Sequence, residues 1–339
     1  MDSDHIENRG YDRGPGHDFG RADGARVPDP PAGVTIVNWI TPAMIWTRLV
    51  LFKPFDIVKW LALGFCAWLA TLGQKGFNFN LNIPSGRGSG NPFGDVEAWM
   101  RNNADLVIAI VVTLVLLGIA LALLVTWLSS RGRFMFVDNI VHNRAEVKQP
   151  WREYREQGNS LFFFRVFFWM ASALTLLLLG GASALMIVPG VRNGSLEAVA
   201  IVGIVFAVVA FILWLVTVTV VSFILEDFVL PIMYVRRCRC TEAWREFRAV
   251  FAGHSSTLIL YFLFKIVLGF VVGLLAGTIA CLLCCIAVLP YIGTVLMLPF
   301  LVFGKSYSLY FMQQFHPDYR LLPLNPRPSD PMPESRELR

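Results

Sequence analysis

Ionisable side chains are rare inside the apolar runs of this chain, and the few found there are the first to weigh for chemistry. Glu226 and Asp227 close one long apolar run, and Lys265 and Lys305 fall inside a later one. A charge held within a membrane helix is by default a candidate functional group, and opposite charges at one depth are expected to pair. These four therefore form a candidate intramembrane ion-pair group that would fix helix register or line a cavity open to the cytoplasm. Snorkelling of the lysines from inner helix ends is the alternative, and it applies equally to Arg165. No carboxylate lies near the centre of any apolar run, so the usual proton- or cation-coupling residue of a transporter is missing.

Other reactive types are scattered. Cys281, Cys284 and Cys285 crowd the end of a long run, with Cys281 and Cys284 on one helix face. A metal there would need further ligands, and no histidine is expected at that level, so these cysteines read as packing residues. Cys238 and Cys240 lie in a basic segment and are acylation sites or free thiols. Six cysteines this clustered do not make a disulfide framework. His142, His254 and His316 are isolated, and His5 and His17 fall in a polar stretch. The chain has no Ser-His-Asp elbow, no HExxH and no phosphate-binding glycine loop. The expectation is no catalytic residue, no metal, no cofactor, no enzyme and no nucleic-acid partner.

The elements that must position these groups are apolar. Of 339 residues 55% are hydrophobic and 16% charged, with mean hydropathy +0.57, whereas roughly 25% charged is usual for soluble domains. Runs near 57–73, 106–128, 166–188, 198–225, 257–289 and 291–312 predict six spans. The final run is divided at Pro290 because ~20 residues at about 1.5 Å rise cross the hydrocarbon core. The first span is the shortest, with 15 residues between Lys59 and Lys75; it crosses if those lysines snorkel, and is otherwise re-entrant. The predicted fold is all-α: a polytopic membrane bundle of about six helices in three hairpins, over residues 36–316, with interfacial helices on the inner face. Residues 1–35 lack an apolar signal-peptide core, so no cleavable signal is expected. They and residues 317–339 are expected to be disordered cytoplasmic tails, and 74–104 an irregular outer loop. Segments assigned to the inside hold 25 of the 29 Lys and Arg residues, which places both termini in the cytoplasm of a bacterial inner membrane.

Trp151-Arg152-Glu153-Tyr154-Arg155 recurs 93 residues later as Trp244-Arg245-Glu246-Phe247-Arg248, each time between two spans. The mixed segments before them, Phe134 to Val141 and Phe228 to Val235, also correspond. The pattern predicts a repeating unit of inner amphipathic helix, span, outer turn and span, with a first copy opening at Thr41-Pro42. Trp46, Trp151, Arg152, Arg155, Trp244, Arg245 and Arg248 are expected to contact lipid at the interface; a cytoplasmic loop with aromatic anchors is the plainer alternative. Anionic headgroups of the cytoplasmic face are the expected partners, at about 1 kcal/mol per cation. Gly269, Gly273 and Gly277 lie four apart and stack on one face. They predict close helix packing, either within the chain or across a homo-oligomer or other membrane-protein interface.

The run Asp227-Phe228-Val229-Leu230-Pro231-Ile232-Met233-Tyr234, followed by Ala243-Trp244, Phe247, Pro299, Tyr307 and Tyr310, resembles a loose group of uncharacterised bacterial multipass proteins. More distantly it resembles the membrane domain attached to some glycerophosphodiester phosphodiesterases. The resemblance covers about residues 40–320 and implies a six-helix inner-membrane module without catalytic residues. Two functional readings stand: a non-enzymatic scaffold or lipid-interacting module, and a transporter or channel-like permease with its pathway between the repeats.

Overall fold

A computed structural model of the chain describes residues 36–53, 55–72, 102–192, 198–282, 290–324 and 326, and among them there is no strand. Proline and capping chemistry set the first boundaries. Helix α1, Ile40–Phe52, stops at Lys53, ahead of Pro54, because the residue before a proline is pushed out of helical geometry. Helix α2, Ile57–Thr71, starts where the Asp56 carboxylate accepts the Val58 amide at 2.8 Å.

Among the described residues four helices are long and apolar enough to cross a membrane. Helix α3, Ala104–Val141, has 38 residues, about 57 Å at 1.5 Å per residue, so it continues well past a ~30 Å hydrocarbon core. A short helix α4, Lys148–Glu153, then breaks at Tyr154 (φ −98°, ψ 27°) before α5, Arg155–Arg192. Helix α6, Ala198–Ile224, runs through a π-helical turn at Leu225–Val229 into α7, Leu230–Arg236. Helix α8, Cys240–Leu282, is kinked at His254 (φ −139°, ψ 34°), near the start of the apolar stretch Ala252–Leu275. The most apolar windows of the four spans are only 0% to 11% buried against the rest of the chain. In water that surface would be untenable; its natural solvent is lipid.

The core sits at one end of the long apolar helices. Residues 129–141 of α3 are buried, packed against α2, with Phe134, Met135, Val137 and Ile140 fully enclosed. They share one cluster with Trp46 and Val50 of α1, Leu63 and Cys66 of α2, and the π turn and α7. Tyr307, Tyr310 and Phe311 of α10, Leu298–Met312, complete it. Four described glycines, Gly64, Gly132, Gly158 and Gly203, sit where a Cβ would come within 3.0 Å of a neighbour. A Cβ on Gly132 would meet the backbone of Leu69 and Ala70 at 2.8 Å, and one on Gly203 would meet Met186 Cβ at 2.8 Å, where α5 and α6 pair.

Two segments expected to span are a shorter helix and a divided one. Segment 57–73 is the 15-residue α2, about 22 Å long, with Leu63, Cys66, Ala67 and Leu69 buried in protein. Segment 291–312 divides at Met297 into α9, Pro290–Leu296, and α10. Hydropathy reports apolarity, and a short core helix is as apolar as a short span. The beginning of the tail expected to be disordered is also ordered: Tyr319 and Leu322 are buried, and the Tyr310 hydroxyl donates to Pro323 O at 3.0 Å. Residues 1–35, the end of the chain and most of the 74–104 loop lie outside the described residues.

Candidate functional site

The junction between α6 and α7 follows from one residue. In an uninterrupted α-helix the amide of residue 231 would bond to Asp227 O, but Pro231 has no N–H. The backbone responds with the π turn, in which the Leu230 amide reaches back to Leu225 O and passes over Glu226 O. Two side chains of α10 meet the bypassed carbonyls: Lys305 Nζ donates to Glu226 O at 2.6 Å and Ser308 Oγ to Asp227 O at 2.9 Å.

The side chains of the same turn are also engaged. Asp227 Oδ2 accepts Lys265 Nζ at 2.7 Å and the Tyr261 hydroxyl at 3.1 Å, and Lys265 also donates to Gly304 O at 3.3 Å. Glu226 Oε1 pairs with Arg133 NH1 at 2.7 Å. Nearby, Arg165 NH1 donates to Ser130 Oγ and Ser129 Oγ at 3.2 and 3.3 Å. Stacked aromatics wall the group: Tyr261 lies 4.0 Å from Phe311 and 5.8 Å from Tyr307, centroid to centroid. The four expected residues thus come together, with one difference. Lys305 holds a backbone carbonyl, and the Glu226 carboxylate takes Arg133. Sequence depth alone did not nominate Arg133, Tyr261 or Ser308.

A second polar centre was also missed. The Asp138 side chain, 1% exposed, accepts Arg144 NH2 at 2.8 Å and Nε at 3.2 Å on Oδ2, and the Tyr234 hydroxyl at 3.0 Å on Oδ1. His142 Nδ1 lies 3.1 Å from Oδ1. The adjacent Asn139 exchanges two 2.9 Å hydrogen bonds with the Glu146 backbone, closing the loop that contains Asn143 at φ 50°. A carboxylate inside the mixed Phe134–Val141 segment, with an arginine six residues on, was the available signal.

The expected lipid contacts divide by residue type. Trp46 is 2% exposed and donates its indole N–H to Ile140 O at 3.2 Å, so it is a core residue and not a lipid contact. Its proximity to Arg48 and Lys53 imitated an interfacial anchor. Trp151 stands edge-on to Trp127, with the Arg131 guanidinium 4.9 and 4.4 Å from the two rings. Trp244 is half-buried and stacks on Phe164 at 5.7 Å. Arg152, Arg155, Arg245 and Arg248 are all exposed. The corresponding Tyr154 and Phe247 are buried, Tyr154 against Phe134 at 5.8 Å and Phe247 against Phe228 at 5.3 Å.

Nothing lies within 4 Å of the Cβ positions of Gly269, Gly273 or Gly277. Among the described residues these glycines pack against no other helix of the chain. The side chains of Cys281, Cys284 and Cys285 lie outside the described residues, and no metal-binding cluster occurs within them. Burial pushes the Cys240 thiol up to about 12 and raises Cys238 as well.

The model of the Family of unknown function (DUF7544) matches residues 34–304, and the chain belongs to that family. No curated protein and no solved structure matches it.

Proposed function

We propose that this DUF7544 member is a non-enzymatic integral membrane module that engages lipid at the cytoplasmic face of the bacterial inner membrane. The observation that carries the reading is the opposite treatment of two sets of charges. Those inside the bundle are closed on partners, Lys265 with Asp227 and Arg133 with Glu226. Arg152, Arg155, Arg245 and Arg248 stand exposed beside half-buried tryptophans. A salt bridge walled by aromatics suits helix register better than ion passage, and outward cations with aromatic anchors suit an anionic headgroup layer. The distribution of 25 of 29 cations supports cytoplasmic termini. An even number of spans, four or six, keeps both termini on one side. The two Trp-Arg-Glu segments, each anchored by an aromatic on a preceding phenylalanine, support an internal repeat.

The test is reconstitution of the full chain into phosphatidylglycerol vesicles and, separately, phosphatidylcholine vesicles. Expected are no ion or solute flux above protein-free vesicles, and enrichment of phosphatidylglycerol around the protein. That enrichment falls when the four arginines are changed together to glutamine. A flux abolished by Asp227→Asn would establish the permease in its place.

A further inference from the structure

A groove of about 700 Å3 runs along the inner end of α5, where it faces the turn between α7 and α8. Its apolar side is Phe163, Phe164 and Phe167, and Phe163 and Phe167 are 69% and 70% exposed on a helix whose apolar window faces outward. Its polar side is the turn Arg237–Arg239. Arg237 adopts φ 53° and lies over the Tyr154 ring at 4.2 Å, bonded to Glu153, while Arg239 is exposed beside it.

Gln157 makes this more than a basic apolar surface. It lines the groove yet is only 8% exposed. Its Nε2 donates to Arg237 O at 3.2 Å, which fixes the amide orientation, and its Oε1 is buried with no partner among the described residues. An unpaired buried acceptor costs about 1–3 kcal/mol unless a donor meets it. Glu156 is a second acceptor on the lining. The groove therefore offers a cation, the Glu156 carboxylate on its lining and, once the Gln157 side chain shifts to bring Oε1 out of cover, a second acceptor, beside an apolar wall continuous with the lipid-facing surface.

We infer that this groove binds one inner-leaflet phospholipid of the phosphatidylglycerol type. The phosphate sits at Arg239, a headgroup hydroxyl donates to Gln157 Oε1, and an acyl chain lies along Phe163 and Phe167. The inference rests on the lipid-engaging reading above and adds a defined site and headgroup chemistry to it. Phosphatidylcholine carries the same phosphate but no headgroup O–H or N–H, so it satisfies Arg239 and leaves Gln157 unmet.

The experiment is native mass spectrometry of the full-length protein in mild detergent, titrated with phosphatidylglycerol or phosphatidylcholine of identical chains. Phosphatidylglycerol should be retained preferentially. Arg239→Gln and Gln157→Leu should each weaken it about tenfold, the loss of one hydrogen bond to a charged or buried partner. Phosphatidylcholine should be indifferent to Gln157→Leu. Arg239 is exposed, so its variant reports binding even if Gln157→Leu disturbs folding. Unchanged phosphatidylglycerol retention in Arg239→Gln overturns the groove. If the four-arginine variant then still loses the lipid, the surface reading survives without the groove. Equal retention of both lipids by the unmodified protein overturns both.

Discussion

Replacing Gly132 by alanine tests the packing of the core, because the new methyl has nowhere to go. Its Cβ would lie 2.8 Å from Ala70 N and from Leu69 C, both backbone atoms, and 2.8 Å from Leu69 Cγ. Ordinary carbon contacts are about 3.5–4.0 Å, so α2 and α3 must separate by roughly 1 Å or distort. Overpacking of this kind costs about 1–3 kcal/mol. Separation would also stretch the Ser129 Oγ to Ala70 O bond, now 3.0 Å, and the Arg133 Nε contact to the same carbonyl at 3.4 Å, at about 1 kcal/mol per bond lost. Against this, alanine gains about 1 kcal/mol of helix propensity. The net expectation is a loss of about 2 kcal/mol. Gly118→Ala is the matched control, since nothing lies within 4 Å of its Cβ in the same helix; it should be neutral or slightly stabilising. Denaturant unfolding in one detergent, followed by tryptophan fluorescence, gives both midpoints. If Gly132→Ala unfolds at or above the Gly118→Ala midpoint, the close approach of α2 and α3 does not hold the core together.

One further substitution and two tests of a buried thiol extend this. Lys305→Met keeps the stem but removes the donor to Glu226 O; it should destabilise by about 1–3 kcal/mol in the same unfolding assay, and no change would mean the π turn does not need α10. Cys240 is buried, with its thiol at about 12 against an ordinary 9.0. It should resist maleimide at pH 8 in the folded protein while the half-exposed Cys238 reacts first, as mass spectrometry of the peptides would show. A thiol raised in the folded state stabilises below the unfolded value and loses that contribution as pH climbs from about 9 towards 12. Unfolding midpoints that rise across that window would contradict the burial of Cys240.

The long spans were legible because an uncharged run such as Leu106 to Leu128 has few other stable settings. What hydropathy could not distinguish was apolar surface facing lipid from apolar surface facing protein. That ambiguity hid the core position of Trp46, whose partner Ile140 is 94 residues away. The Lys265–Asp227 pair was legible from depth and sign alone, whereas Arg133 belongs to a helix that reaches the junction only by running beyond its span. Spacing drew attention to Gly269, Gly273 and Gly277, but the close contact against backbone falls on Gly132, which no periodicity marks.

The bypassed carbonyls at the α6–α7 junction have a consequence for the order in which the protein is made. Glu226 and Asp227 are synthesised about eighty residues before Lys305 and Ser308, as the separations of 79 and 81 show. At about 5–20 residues per second, the membrane-inserted N-terminal part must wait several seconds with that junction open. The fastening arrives on α10, among the last ordered elements to emerge. Completion of the core is therefore a late event in biogenesis, timed by the position of two side chains in the sequence.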